Sequence, residues 1–379
     1  MTNQDLLQIA EEFGTPVYVY DADSIKSQYE KLTTSFAEST KFFYACKSLT
    51  NINILKYVEK LGANLDCVSI NEVKLGLKAG FSAERILFTP NCVDLAEIEE
   101  AMALNVHINI DNISILEQFG TKYGDSYPVF LRINPHIFAG GNYKISTGHI
   151  DSKFGISIHQ MRHIERVMKS TNLNIEGLHM HTGSEIKDPE VFLQGLEIMF
   201  ELSESFPNLK YIDMGSGFKV PYQKGELETD VKALGKKVEK AVAQFKKETG
   251  KDFELWFEPG KYLVSKSGHF LVKSNVIKQT TATVFVGVNS GFNHLIRPMF
   301  YDSYHVIENL TNPKGTERIY TVVGNICETD TFAWDRKLHE VREGDILVFR
   351  NAGAYGFEMS SNFNSRLKPA EVLFLDGKA

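Results

Sequence analysis

The sequence predicts an α/β protein: a (β/α)8 barrel of the TIM type followed by an antiparallel β domain. Three observations carry this. Between residues 41 and 260, eight short apolar segments alternate with segments of helical periodicity. After residue 265 the strand-like segments continue, but no ten-residue helices separate them. One early strand-like run, "TPVYVYD" at 15–21, precedes the first barrel helix and is placed to join the later sheet. The expected division is therefore a barrel over 25–265 and a β-barrel-like domain over 266–379 that includes the N-terminal residues 1–24.

The eight barrel strands are expected in "KFFYAC", "ANLDCVS", "RILFTPN", "VHINID", "PVFLRIN", "IEGLHMH", "KYIDMG" and "LWFEPG". Between them, "NINILKYVEKL", "NEVKLGLKAG", "LAEIEEAMAL" and "VKALGKKVEKAVAQFKKE" carry apolar residues at helical spacing, most ending near a glycine or asparagine. In the second region "HFLVKSNVIKQ", "ATVFVGVN", "RIYTVVGNIC" and "DILVFRNAG" read as strands. A chain of 379 residues is long for one ordinary core and suits a large barrel plus a smaller domain.

Composition excludes several function classes. Hydrophobic residues make up 43% and charged residues 23%, a soluble globular balance. A net charge of −7 argues against nucleic acid as a partner. The N-terminal "MTNQDLLQIAEEFG" lacks the basic and apolar regions of a signal peptide, and no apolar run is long enough to span a bilayer. Cys46, Cys67, Cys92 and Cys327 form no CxxC pair, which argues against zinc and against a disulfide framework. A cytoplasmic location is expected.

In a (β/α)8 barrel the chemistry sits at the C-terminal ends of the strands. The first strand ends in Lys47 and Ser48, and the second carries Asp66 and then Ser69. The fifth carries Arg132 and Asn134, and the sixth leads into His179, His181, Gly183 and Ser184. The seventh ends in Asp213, Gly215, Ser216 and Gly217, and the eighth in Glu258, Pro259, Gly260 and Lys261. Lys47 alone would read as a surface lysine; these other strand ends place it in a shared mouth. The Gly-Ser-Gly after the seventh strand lets backbone N–H groups approach an anion, at a position where barrels often hold phosphate. A lysine, a phosphate cradle, a carboxylate and a histidine together suit pyridoxal phosphate. The lysine condenses with the aldehyde, and the acid keeps the pyridine nitrogen protonated.

The motifs "YACKS", "HTGS", "GSGF", "EPGK", "LIRPMFYDSYH", "GNICETD" and "AGAYGFEMSSNFNSRLKPAEVL" carry a similarity that covers about residues 12 to 375. On them the chain resembles the fold-type III pyridoxal phosphate-dependent decarboxylases, and within these the diaminopimelate decarboxylases. The last three motifs are the specific ones. The resemblance implies that Lys47 is the Schiff-base lysine, that His181 stacks on the cofactor, and that Gly215, Ser216 and Gly217 hold its phosphate. Glu258 pairs with the pyridine nitrogen, and Ser184, Gly260 and Lys261 complete the cofactor contacts. Arg297, Tyr301, Glu328 and Tyr355, with Lys261, bind an amino-acid substrate; Tyr355 also touches the cofactor. By the same resemblance Cys327 is expected to be the proton donor. The resemblance further implies a homodimer with shared active sites, Cys327 and Glu328 acting in the partner's site.

Two departures from the family pattern stand out. Lys261 replaces the usual arginine of "EPGR", losing the bidentate fork but keeping the charge. Ser216 interrupts what is often a run of three glycines. Arg297 supplies a cation for a distal carboxylate and Glu328 an anion for a distal ammonium, which fits meso-diaminopimelate and L-lysine as its product. The rivals are a decarboxylase of ornithine, lysine or carboxynorspermidine, for which Arg297 is superfluous, and a non-catalytic homologue, which has no need of Lys47, Glu258 and Cys327. An alanine racemase shares the architecture but typically sets arginine against the pyridine nitrogen.

Overall fold

A computed structural model describes residues 1–137, 148, 151–183, 185, 186 and 188–379. The chain forms two compact units. One comprises Gln28–Val220 and Leu227–Tyr262; the other comprises Met1–Ser27, Pro221–Glu226 and Leu263–Ala379.

In the β-rich unit the helix Asn3–Phe13 is followed by β1 (Val17–Asp21). The barrel unit then supplies β2 (Lys41–Ala45), β3 (Asn64–Cys67), β4 (Ile86–Phe88), β5 (His107–Ile110) and β6 (Val129–Asn134). A two-residue β7 (Ile156–Ser157) precedes β8 (Ile175–His179), β9 (Tyr211–Asp213) and β10 (Glu254–Phe257). The order β5-β4-β3-β2-β10-β9-β8-β6 closes through β5 pairing with β6, and β7 adds to β6 from outside the ring. All these pairings are parallel.

Side chains alternate across a strand, so residues two apart share a face. Phe43, Leu87, Phe130 and Trp256 pack into one apolar layer inside the barrel, with Tyr211 against it. The Phe43 and Trp256 rings lie 4.2 Å apart and the Phe130 and Tyr211 rings 5.4 Å apart. Gly177 makes room for this layer, since a Cβ there would fall 2.1 Å from the Phe130 ring. Two residues further along the same strands come Ala45, Thr89, Arg132, His179, Asp213 and Glu258. The barrel interior thus changes from apolar to charged within one pleat, and the charged layer lies toward the C-terminal ends. Ser69 belongs to a helix rather than to a strand end: its hydroxyl accepts the Glu72 N–H at 3.3 Å and caps Ile70–Ala79.

The β-rich unit continues with β11 (Gly268–Gln279), β12 (Val284–Val288), β13 (Ile307–Asn309), β14 (Glu317–Val323), β15 (Thr331–His339), β16 (Ile346–Phe349) and β17 (Ala370–Phe374). Its strands run in the order β13-β16-β11-β12-β14-β15, and β1 joins the sheet between β11 and β17. Most pairs are antiparallel; β1–β17 and β12–β14 are parallel. Val17, Val19, Leu271, Val348 and Val372 form its core with Leu6 and Ile9 of the first helix.

Among the described residues no helix is long and apolar enough to cross a membrane.

Candidate active site

Lys47 lies in a short 3-10 turn, Cys46–Ser48, directly after β2. The Ser48 hydroxyl fixes this turn by donating to the Ala45 carbonyl at 2.9 Å, and Gly260 packs behind it, where a Cβ would meet Ala45 and Ser48 at 3.1 Å. The Lys47 ammonium reaches Asp66 Oδ2 of β3 at 3.3 Å. Its side chain keeps 37% of its surface open while that of Asp66 keeps none, so the carboxylate anchors an ammonium that a ligand can still approach.

Glu258 follows β10 and is almost fully buried. Its Oε1 lies 3.1 Å from His179 Nε2, yet the two atoms are not aligned as a hydrogen bond, and each remains without one. Burial alone would raise the Glu258 carboxyl, but His179 and the Lys47 ammonium beside it hold it below the usual carboxylate range. Burial pushes His179 itself toward the neutral form, so Lys47 is the fixed positive charge of the two. Glu258 therefore carries the negative charge of this cluster. Its neighbours move the other way: burial and the charge of Glu258 raise Asp66 to about 7 and hold Asp213 well above the carboxylate range. Arg132, also buried, lies among the carboxyl groups of Glu258, Asp111, Asp66 and Asp213.

The turn after β9 is built for close approach. Gly215 has φ +60° and Gly217 φ +116°, conformations that side chains disfavour. Asp213 Oδ1 accepts the Gly215 N–H at 2.8 Å, and the Gly215 carbonyl accepts the Glu258 N–H at 2.7 Å. His181 lies against the turn: its Nδ1 accepts the Ser216 N–H at 3.2 Å, which puts the ring proton on Nε2. Burial, then Arg132 and Lys47, push His181 down to about 3, so it is neutral at physiological pH. Part of its surface remains open even so. Lys261 binds the carboxylate of Glu185, which also binds Lys219. Ser184 lies outside the described residues.

The remaining candidates belong to the β-rich unit. Arg297 begins the short helix Arg297–Tyr301 and is buried. Its guanidinium lies 5.3 Å from the Tyr222 ring and 6.0 Å from the rings of Tyr301 and Tyr355. The structure therefore groups three of the expected substrate residues and adds Tyr222, which no sequence motif marked. Cys327 was expected at a strand end, but β14 stops at Val323 and Cys327 sits in an exposed loop with Glu328. Asp330 shapes that loop: its side chain accepts N–H groups from Phe292 at 2.7 Å and Ile326 at 3.4 Å, and its carbonyl accepts that of Gly324 at 2.7 Å. Cys46 and Cys67 are buried with their sulfurs 3.9 Å apart, as expected of small apolar residues.

Comparison with known proteins gives the same direction throughout. The family described as pyridoxal-dependent decarboxylase, pyridoxal binding domain, matches residues 22–265. A diaminopimelate decarboxylase of Methanothermobacter thermautotrophicus is 36% identical over 99% of this chain and 90% of its own. The chain belongs to the diaminopimelate decarboxylase family. A crystal structure of a diaminopimelate decarboxylase superposes with a TM-score of 0.92 at 34% identity, covering 99% of this chain and 92% of the other. The Helicobacter pylori diaminopimelate decarboxylase, complexed with L-lysine, gives 0.90 at 30% identity, covering 98% and 94%.

The residues present fit the pyridoxal cofactor of this family. Glu258 Oε1, Asp66 Oδ1 and Asp213 Oδ2 are buried oxygens without a hydrogen bond, in a mouth that also holds a reachable lysine. The turn beside them excludes side chains, since a Cβ on Gly215 would come within 2.6 Å of His181 Nδ1 and one on Gly217 within 2.3 Å of the Gly183 carbonyl. An amine for the aldehyde, an anion for the ring nitrogen and open backbone for the phosphate are the donor set that pyridoxal phosphate requires.

Proposed function

We propose that the protein is a pyridoxal phosphate-dependent carboxy-lyase that converts meso-2,6-diaminopimelate to L-lysine and carbon dioxide. The observation that carries the reading is the convergence of a partly open Lys47, ion-paired with Asp66, and a buried Glu258 on one barrel mouth, in a chain matched over 99% of its length by diaminopimelate decarboxylases.

When bound, the cofactor supplies the electron sink that accepts the pair left as carbon dioxide departs. The rest is the work of this chain. Lys47, its ammonium partly open, would hold the aldehyde end of the cofactor through its ε-nitrogen. Glu258, held below the usual carboxylate range, would stay anionic and so favour a proton on the pyridine nitrogen. Neutral His181 offers a flat, uncharged face to the ring, and Gly215, Ser216, Gly217 and Gly260 receive the phosphate. Arg297, Tyr301 and Tyr355 bind the distal carboxylate of the substrate, Glu328 binds its distal ammonium, and Cys327 returns a proton to the carbon that lost carbon dioxide. We further propose a cytoplasmic homodimer in which Cys327 and Glu328 serve the partner subunit's site.

Parallel incubation with meso-diaminopimelate, ornithine and lysine tests the substrate. The account expects L-lysine and carbon dioxide in equal amounts from the first and little turnover of the others. A preference for ornithine or lysine would sink the distal-carboxylate argument.

A further inference from the structure

Three loops leave the C-terminal ends of β8, β9 and β10, and one carboxylate ties them together. Glu185, after β8, binds Lys219, after β9, at 2.6 Å through Oε2, and binds Lys261, after β10, through Oε1. The Lys219 side chain is 8% exposed and that of Lys261 11%. Lysine is rarely buried unless its charge is met, so the cluster needs a reason.

Backbone groups of the loops after β8 and β9 are also joined. The Ile186 N–H donates to the Gly217 carbonyl at 2.9 Å. The Thr229 hydroxyl accepts the Lys219 N–H at 2.7 Å and donates to the Ile186 carbonyl at 2.6 Å. Glu185 holds φ +68°, a left-handed conformation that costs a non-glycine residue energy and tends to persist at functional sites. Gly183 lies close to the glycine turn, since a Cβ on Gly217 would come within 2.3 Å of its carbonyl. Two ammonium groups thus share one carboxylate on a loop whose next residue, Ile186, is hydrogen-bonded to the turn at Gly217. A purely mechanical clamp would need neither the second lysine nor this location.

We propose that Lys219 is a further cation for the cofactor's phosphate group, and that Glu185 is the positioning residue holding Lys219 and Lys261 beside the Gly215–Gly217 turn. The proposal rests on the pyridoxal phosphate reading above. A phosphate monoester dianion there takes backbone N–H groups from the turn and charge-assisted hydrogen bonds from the ammonium groups, each of which has three donors.

Equilibrium dialysis of the full-length protein, freed of cofactor with hydroxylamine, against pyridoxal phosphate, and separately against pyridoxal, tests this without reading activity. Lys219→Met keeps the aliphatic stem and removes the charge. It should weaken pyridoxal phosphate about tenfold or more while leaving pyridoxal within about twofold, because only the former carries the phosphate. Lys219→Arg should restore most of the loss. Glu185→Gln should weaken pyridoxal phosphate selectively as well, and it carries the same contrast should Lys219→Met fail to fold. Equal losses for both ligands, or no loss for either, would make the cluster a structural clamp and overturn the proposal. A raised KM for diaminopimelate with cofactor affinity unchanged would assign the lysines to a substrate carboxylate and overturn it too. A wild-type protein that binds pyridoxal phosphate but leaves diaminopimelate intact refutes the substrate reading alone, and the dialysis contrast still decides the role of Lys219.

Discussion

Replacing Glu258 by glutamine removes one negative charge at nearly constant shape. The carboxylate is 6% exposed, and its Oε1 has no hydrogen bond. Removing one preorganised electrostatic group from a water-excluded site costs about 2.7–4 kcal/mol in the transition state. At about 1.36 kcal/mol per decade, turnover falls by about two to three orders of magnitude. Folding stability should respond differently. The charge of Glu258 raises both Asp66, to about 7, and Asp213. Removing it relieves two buried acids while an amide still faces His179. The net change in stability should stay within about 1 kcal/mol, or about 2 °C in Tm. The assay is steady-state carbon dioxide release from meso-diaminopimelate at saturating cofactor, with bound cofactor quantified and melting recorded on the same preparation. A loaded, folded Glu258→Gln protein with kcat within about tenfold of wild type would refute the role of that charge.

Arg297→Ala should lower kcat/KM for diaminopimelate by about 30- to 1000-fold, a loss of about 2–4 kcal/mol, with little effect on cofactor content; unchanged kinetics would remove Arg297 from the substrate site. His305 is buried, its Nδ1–H donates to the Arg350 carbonyl at 2.9 Å, and burial, then Arg297, lower it to about 3. A histidine pKa lowered by folding contributes stability that is lost as pH falls below its unfolded value. The stability of wild type relative to His305→Gln should therefore decline by about 1.4 kcal/mol per pH unit below about pH 6.5, as read by urea titration, and a constant difference between pH 7 and 5 would contradict this. Lys47→Ala and Cys327→Ala, each nearly inactive alone, should recover about a quarter of wild-type activity when their subunits exchange, because about half the dimers then hold one intact site. Heterodimers confirmed by mass spectrometry without recovery would place both residues in one chain's site.

The barrel was legible because its strands are apolar and its helices periodic, and each βα unit repeats that contrast. The last strands were harder. β15, Thr331–His339, carries Trp334, Asp335, Arg336 and Lys337 in succession, so its alternation breaks down where its residues face solvent. β13 has three residues, too few to show a period. Lys47, Glu258 and the glycine turn were readable from their positions at strand ends, since barrel geometry converts sequence position into location. Glu185 and Lys219 were not, although both abut quoted motifs. They meet across 34 residues, and a charge pair leaves no local pattern in the chain. Tyr222 was missed for the same reason. Cys327 was misplaced because the strand-like run "RIYTVVGNIC" continues past the point where Asp330 turns the backbone.

The central claim is that Lys47 carries the cofactor of a decarboxylase, and borohydride reduction of the purified holoenzyme followed by peptide mapping tests it most directly. The account predicts a single pyridoxyl label, on Lys47, and loss of diaminopimelate turnover in proportion to labelling. A label on Lys219 or Lys261, or a labelled protein that still decarboxylates diaminopimelate, would contradict it.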